Sequence, residues 1–135
     1  MPTHPVRLVL LLLTLAAAPA SAQMLPSGTW TGALVHGGDR HPVEATIERC
    51  ATGFRVALTI DGRTAETETA AWKGGRLRFQ LPRLRLPGTL LPRTLTCDLQ
   101  AGDDAALAGS CTSGRTPVRL ELAPPADAGF GCDDA

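Results

Sequence analysis

The chain has 135 residues, and its 13 Lys and Arg residues equal its 13 Asp and Glu residues in number. This balance excludes a dedicated nucleic-acid binder, because such a protein carries an excess of basic residues. The length fits one domain with a single buried core.

Residues 1–22 are predicted to be a secretory signal peptide. Arg7 ends a short basic segment, residues 8–18 form an uncharged run rich in Leu and Ala, and Ala20-Ser21-Ala22 supplies an A-x-A cleavage site. The apolar run is shorter than the roughly 20 residues that span a bilayer. We therefore expect an exported chain, periplasmic or extracellular and soluble, with no transmembrane segment after cleavage.

Eight short runs between residues 28 and 122 alternate apolar and polar side chains and are separated by Gly, Pro and Asp. Such alternation predicts β-strands with one buried face. The runs lie at residues 28–36, 41–49, 54–60, 63–72, 76–81, 94–100, 106–112 and 117–122. Eight sequential strands with tight turns predict an all-β, antiparallel up-and-down barrel, with a β-sandwich as the alternative. The barrel domain is predicted over 23–122 and an irregular tail over 123–135.

The first hairpin is predicted to turn at Gly38-Asp39. This turn sets Leu34 opposite Val43 and His36 opposite His41, so that inward-facing residues meet each other.

Two further turns are predicted in the middle of the chain. Asp61-Gly62 is the strongest short hairpin signal of the sequence. A three-residue loop over 73–75 places Trp72 opposite Arg76 on the outer face, where a cation–π contact is expected.

The four cysteines are predicted to form two disulfides in an oxidising compartment, since their spacing is too wide for a zinc site. A hairpin centred on Asp104 sets Cys97 directly opposite Cys111, both on the apolar side of their strands. Cys50 then pairs with Cys132 by elimination.

The first strand opens with Gly28-Thr29-Trp30. This Gly-x-Trp pattern resembles the first-strand signature of lipocalins and the wider calycin group of eight-stranded barrels. The chain also looks like small secreted bacterial barrels of this shape, including avidin-like proteins and periplasmic inhibitors of proteases or lysozyme. The resemblance implies that Trp30 plugs the closed end of the barrel under a basic residue of the last strand, here Arg119.

The interior of an eight-stranded barrel is filled by side chains or holds one small ligand. Small inward residues, among them Gly32, Ala45 and Gly109, favour a pocket, whereas Trp30, Phe54 and Phe79 can fill the space. The candidate ligand-binding residues are Trp30, Leu34, Val56, Leu58, Thr67, Thr69 and Phe79.

Residues 81–93 are too rich in Pro for a central strand and unusually apolar for a loop. Exposed Leu beside Arg suits an anionic lipid surface or a partner protein. The alternative is a lid over one end of the barrel with solvated arginines. The candidate partner or lid residues are Arg83, Leu84, Arg85, Leu86, Leu90 and Leu91.

Metal binding and catalysis have little support in the sequence. His36 and His41 are predicted to face each other with Asp39 nearby, which makes them a minor candidate metal site. The alternative interpretation is that they are two solvated histidines at a turn. No Ser or free Cys is evidently placed near these histidines, so we expect no catalytic residue, no enzyme activity and no cofactor.

The sequence thus predicts an exported, non-enzymatic binding module. The first hypothesis is that it binds a small hydrophobic molecule or acyl chain in or at the mouth of the barrel. The alternative is a periplasmic inhibitor or adaptor that binds an envelope protein through the basic and apolar loop 81–93. A structural envelope protein is a third possibility.

Overall fold

The computed structural model describes residues 25–50 and 53–126 of the chain, and these form an all-β fold. Its strands are β1 (Gly28–His36), β2 (Asp39–Cys50), β3 (Gly53–Ile60), β4 (Arg63–Lys73), β5 (Arg76–Leu84), β6 (Arg93–Ala101), β7 (Leu107–Ser113) and β8 (Thr116–Ala123). Each strand pairs antiparallel with the next, and β8 pairs with β1. The predicted closed barrel is confirmed and the sandwich alternative is wrong.

Two predicted segments lie largely or wholly outside this description. The proposed signal peptide, residues 1–22, precedes the described residues, and the proposed tail is described only as far as residue 126. Within the described ranges, no helix is long and apolar enough to cross a membrane.

The inward side chains of the eight strands form one hydrophobic cluster. On β6, for example, Leu95, Cys97 and Leu99 are buried while the residues between them are exposed. Leu25 and Leu86 belong to the same cluster although neither lies on a strand. Residues just before β1 and just after β5 therefore contribute to the core together with the strands.

Because the number of sequential antiparallel strands is even, the chain enters and leaves the barrel at the same end. The chain enters at Gly28 and leaves at Ala123 on one side, which we call the entry end. The β1–β2, β3–β4 and β7–β8 turns and the long β5–β6 connection, residues 85–92, lie at the opposite end, which we call the loop end.

The β1–β2 turn lies one residue earlier than predicted, at Gly37-Gly38, which have φ of 60° and 89°. His36 is opposite Asp39 and Leu34 is opposite His41, so the predicted Leu34–Val43 and His36–His41 pairs are wrong. Two glycines satisfy the positive φ of such a turn better than Gly followed by Asp. The resulting two-residue shift keeps the same side chains inward.

A β-bulge that the alternating pattern of the sequence does not predict interrupts β4. Val56 of β3 is opposite Thr67, but Phe54 is opposite Ala70, so β4 carries one extra residue here. The Thr67 hydroxyl lies 3.0 Å from the Thr69 hydroxyl and accepts a hydrogen bond of 3.2 Å from the Thr69 N–H. The bond to the Thr67 hydroxyl gives the Thr69 N–H a partner at the point where the strand-to-strand hydrogen bonding is interrupted.

The bulge exchanges the two faces of β4 beyond it. Ala70 is buried and Trp72 packs against the core, whereas Thr69 and Ala71 are exposed. The predicted inward orientation of Thr69 is therefore wrong, because one inserted residue reverses a period-two pattern.

The β4–β5 connection is a two-residue turn at Gly74-Gly75, not the predicted three-residue loop. Trp72 consequently lies opposite Leu77 on the inner side, and Lys73 lies opposite Arg76. The predicted pairing of Trp72 with Arg76 on the outer face is wrong.

The β6–β7 hairpin has the predicted register. Cys97 is opposite Cys111 and the two form a disulfide. Cys50 is also disulfide-bonded. Its predicted partner, Cys132, lies outside the described residues.

Gly32 and Gly109 do not provide room for a ligand as the sequence analysis expected. A β-carbon added at Gly32 would overlap the carbonyl oxygen of Glu121 on β8. One added at Gly109 would overlap the carbonyl oxygen of Asp98 on β6 and lie 2.9 Å from the Cα of Leu99. The missing side chains at these positions allow neighbouring strands to approach closely.

Candidate functional site

Most of the predicted ligand-lining residues lie together inside the barrel. Each of the following is at most 5% exposed: Trp30, Leu34, Val56, Leu58 and Phe79. Thr67 is half-buried, and Thr69 is on the outer surface because of the bulge. Five of the seven residues that were predicted to line the interior are thus buried in the core.

A short segment before β1 packs against the entry end, although the alternating strand pattern does not predict it. Leu25 is buried in the core, the Trp30 indole N–H donates to the carbonyl oxygen of Pro26 at 3.2 Å, and the Arg49 N–H donates to the Ser27 hydroxyl at 3.1 Å. The Trp30 side chain thus keeps a partner for its N–H while its rings are buried. The apolar pair Met24-Leu25 before the first strand is a sequence signal of this segment.

Arg119 does not cover Trp30 as the lipocalin resemblance implies. It lies opposite Val35 on the exposed face of β8, and its Nε donates to Glu121 at 3.1 Å. The Trp30 indole N–H is bonded instead to Pro26, in the segment before β1.

At the loop end, β5 continues past Pro82 to Leu84, further than predicted. An extra residue in β5 between Leu81 and Leu84 shifts the register with β6, and Arg83 has φ of 55° there. A bulge tolerates Pro because it releases the ladder locally. Leu84 and Leu86 are 1% and 2% exposed, so these two residues do not belong to an exposed partner surface and fit the lid alternative instead.

A hydrogen-bonded turn follows Leu86. The N–H and hydroxyl of Thr89 both donate to the Leu86 carbonyl oxygen, at 3.1 Å and 2.7 Å. Pro87 and Gly88, with φ of 82° at Gly88, occupy the central positions, which is the pattern of a type II turn. This segment of the loop therefore has a defined backbone conformation.

Leu90 and Leu91 follow this turn and are 88% and 62% exposed. In the described part of the chain they are the large hydrophobic side chains that face solvent. The predicted apolar loop is thus divided, with two leucines in the core and two at the surface.

Three arginines accompany these leucines. Arg83 and Arg93 are exposed, and Arg85 is half-buried. Within residues 25–50 and 53–126, none of the three forms an ion pair with a carboxylate. We call the group Arg83, Arg85, Leu90, Leu91 and Arg93 the arginine–leucine rim.

The candidate metal site is not assembled as predicted. His36 and His41 are half-buried at the loop end but occupy different positions of the β1–β2 register. Among the described residues, no three His, Cys, Asp or Glu side chains are grouped closely enough to hold a metal ion.

Two depressions on the described part of the barrel wall lie near the entry end. One, of about 390 Å³, is lined by Ala71, Lys73, Gly74, Arg76, Arg78 and Gln100. The other, of about 440 Å³, runs along β1, β7 and β8 beside Arg40 and Glu121. The first depression is strongly basic, and it is not among the sites that the sequence predicts.

No family model matches this chain, and neither a curated protein nor a solved structure matches it. The resemblance to lipocalins therefore rests on Gly28-Thr29-Trp30 and stays a prediction. Because a fold alone does not determine a function, the functional conclusion depends on the side chains described above.

Proposed function

We propose that this chain is an exported, non-enzymatic binding module that docks on an envelope protein through the arginine–leucine rim. The observation that carries the proposal is the exposure of Leu90 and Leu91, 88% and 62%, beside a hydrogen-bonded turn. Exposed apolar side chains placed together mark interaction surfaces. A loop that is already ordered loses less conformational entropy when it binds.

The charge of the rim indicates the chemistry of the partner. Arg83 and Arg85 precede the two leucines in the chain and Arg93 follows them, and none of the three has a carboxylate partner in the described residues. Guanidinium groups bind carboxylates with two parallel hydrogen bonds. The expected partner therefore offers an apolar pocket for Leu90 and Leu91, with Asp or Glu side chains at its edge.

The packed interior gives less support to capture of a small hydrophobic molecule. The buried residues Trp30, Leu34 and Phe79 belong to one continuous core. Leu84 and Leu86 are buried at the loop end, where a ligand would otherwise enter. An apolar ligand would have to displace these side chains, so rim docking is the hypothesis that the geometry favours.

We also propose that the chain is exported. The Cys97–Cys111 disulfide is typical of proteins in oxidising compartments. The predicted signal peptide, residues 1–22, supports the same location, and the bacterial-type resemblance favours the periplasm.

Site-specific photo-crosslinking in cells of the source organism tests the docking surface. A photoreactive amino acid at position 91 should give a discrete crosslinked species with an envelope protein. The same amino acid at Ala105, an exposed loop position at the entry end, is the matched control and should give none. Equal crosslinking at both positions, or none at 91, would contradict the proposal.

The charge requirement is tested by Arg83→Glu with Arg85→Glu, introduced together with the crosslinker at position 91. Loss of the crosslinked species, with an unchanged melting temperature, is the expected result. Arg63→Glu with Arg115→Glu reverses the same number of charges elsewhere at the loop end and should keep the crosslink. Persistence of the crosslink in the Arg83 and Arg85 variant would remove the electrostatic part of the proposal.

A further inference from the structure

We propose that the basic depression on the outer wall, formed by Lys73, Gly74, Arg76, Arg78 and Gln100, binds a phosphate group. It measures about 390 Å³ and lies where β4, β5 and β6 reach the entry end. The arginine–leucine rim is at the opposite end of the barrel. This second site is therefore independent of the proposed docking function.

The strand register places like charges directly opposite each other in this depression. Lys73 pairs with Arg76 across the β4–β5 hairpin, and Arg78 follows on the same face of β5. Directly opposite residues have β-carbons about 4.5–5.5 Å apart, and like charges at that separation destabilise a sheet. An anion bound between the two cations would offset this repulsion.

Asp98 of β6 holds the arginines in place without neutralising the depression. Its two carboxylate oxygens lie 3.3 Å from the Arg76 Nε and 3.4 Å from the Arg78 Nε. The terminal nitrogens of both guanidinium groups remain as donors for another anion. Three cations and one carboxylate leave a net charge of +2, which matches the charge of about −1.5 to −2 on a phosphate monoester at pH 7.

The depression also has space and neutral donors for a tetrahedral group. Ala71 contributes only a methyl group, and a β-carbon added at Gly74 would meet no atom within 4 Å. The Gln100 amide lies opposite Arg76 and is able to donate a hydrogen bond. Arginine and lysine donors together with an amide are the groups that bind phosphate oxygens.

Titration with inorganic phosphate, followed by ¹H–¹⁵N NMR at constant ionic strength, tests the site. The backbone signals of Lys73, Gly74 and Arg76 should shift and saturate, while chloride at the same ionic strength produces no such shift. Lys73→Gln with Arg78→Gln should weaken phosphate binding by about tenfold or more, because two charge-assisted hydrogen bonds are lost. Equal binding by this variant would overturn the proposal.

Arg63→Gln with Arg115→Gln is the matched control, since it removes two positive charges at the loop end. It should leave phosphate binding unchanged. Lys73→Gln alone should raise the melting temperature in phosphate-free buffer, because the repulsion of Arg76 is removed, and should reduce the stabilisation that phosphate gives. An equal loss of binding in the control variant would show a general charge effect and overturn the site.

The source of the phosphate is distinguished with glycerol phosphate and with vesicles. Binding of glycerol phosphate indicates that the bound phosphate group belongs to a soluble phosphate ester. Binding only of phosphatidylcholine vesicles that contain phosphatidic acid assigns a lipid headgroup. Failure of both probes, together with failure of inorganic phosphate, overturns this site and leaves crosslinking at position 91 unaffected.

Discussion

Arg40 of β2 and Glu121 of β8 form an ion pair of 3.0 Å across the outer face of β1. Arg119, also on β8, donates to the other Glu121 oxygen at 3.1 Å. The pair connects the two strands that flank β1, where the first and last parts of the barrel meet. One carboxylate therefore links segments that are far apart in the sequence.

The Glu121 side chain should make stability depend on pH. Hydrogen bonds from Arg119 and then Arg40 lower the pKa of Glu121 below its ordinary value of 4.5. Because the folded state favours the ionised form, the stabilisation is complete above that ordinary value and is lost as pH falls through the folded-state pKa. Glu121→Gln should reduce the difference in urea midpoint between pH 6 and pH 3.

Glu44→Gln is the control for this experiment, since Glu44 is an exposed carboxylate of β2. It should leave more of the pH-dependent difference in place than Glu121→Gln does. An identical pH profile for the Glu121 variant and the parent protein would contradict the prediction.

Removal of the Cys97–Cys111 disulfide should destabilise the barrel. The two residues are separated by 14 positions, and closing a loop of about this length contributes roughly 3 kcal/mol in the chain-entropy description. Cys97→Ala with Cys111→Ala should lower the free energy of unfolding by that amount in a urea titration. Ser110→Ala, on the exposed face of β7, should change it by about 0.5 kcal/mol or less. Equal stability of the two variants would argue against this role.

Gly32→Ala and Gly109→Ala should each destabilise the barrel by about 1–3 kcal/mol, because the added methyl group overlaps the backbone of the adjacent strand. Thermal unfolding by circular dichroism measures the effect. Thr31→Ala, on the exposed face of β1, is the control and should have a small effect. A gain in stability at Gly32 would show that the interior has unfilled space there.

The four leucines of the β5–β6 segment should separate into two classes. Leu84→Ala and Leu86→Ala remove buried side chains and should cost about 2–5 kcal/mol each. Leu90→Ala and Leu91→Ala should change the free energy of unfolding by about 0.5 kcal/mol or less. Urea titrations of the four single variants test this division, and a large loss at Leu90 would show that it has a structural role.

The disulfide hairpin was predictable because two signals coincide. Cys97 and Cys111 lie on the apolar sides of their strands, and the turn centre between them sets both in register. The β1–β2 hairpin lacked such a constraint. A shift of two residues keeps Leu34 and Val43 inward in either register, so the hydrophobic pattern does not distinguish the two.

The bulge in β4 was not predictable for a related reason. Ala70 and Ala71 are identical side chains, so the sequence does not show which of them faces inward. For the arginine–leucine rim, the sequence indicated the segment but not which of its leucines are buried and which are exposed. Leu86 and Leu90 are the same residue type, so the sequence pattern does not separate them. The packing of Leu86 into the core distinguishes them. The basic depression depends on the Lys73–Arg76 register, which follows from the length of the β4–β5 turn.

Because the barrel has an even number of strands, the segment before Gly28 and the segment after Ala123 are both attached at the entry end. A tether attached to either segment therefore fixes the molecule at its entry end. Leu90 and Leu91 then lie at the end of the barrel opposite the attachment. Immobilisation through either flank would therefore present the apolar tip to an approaching partner.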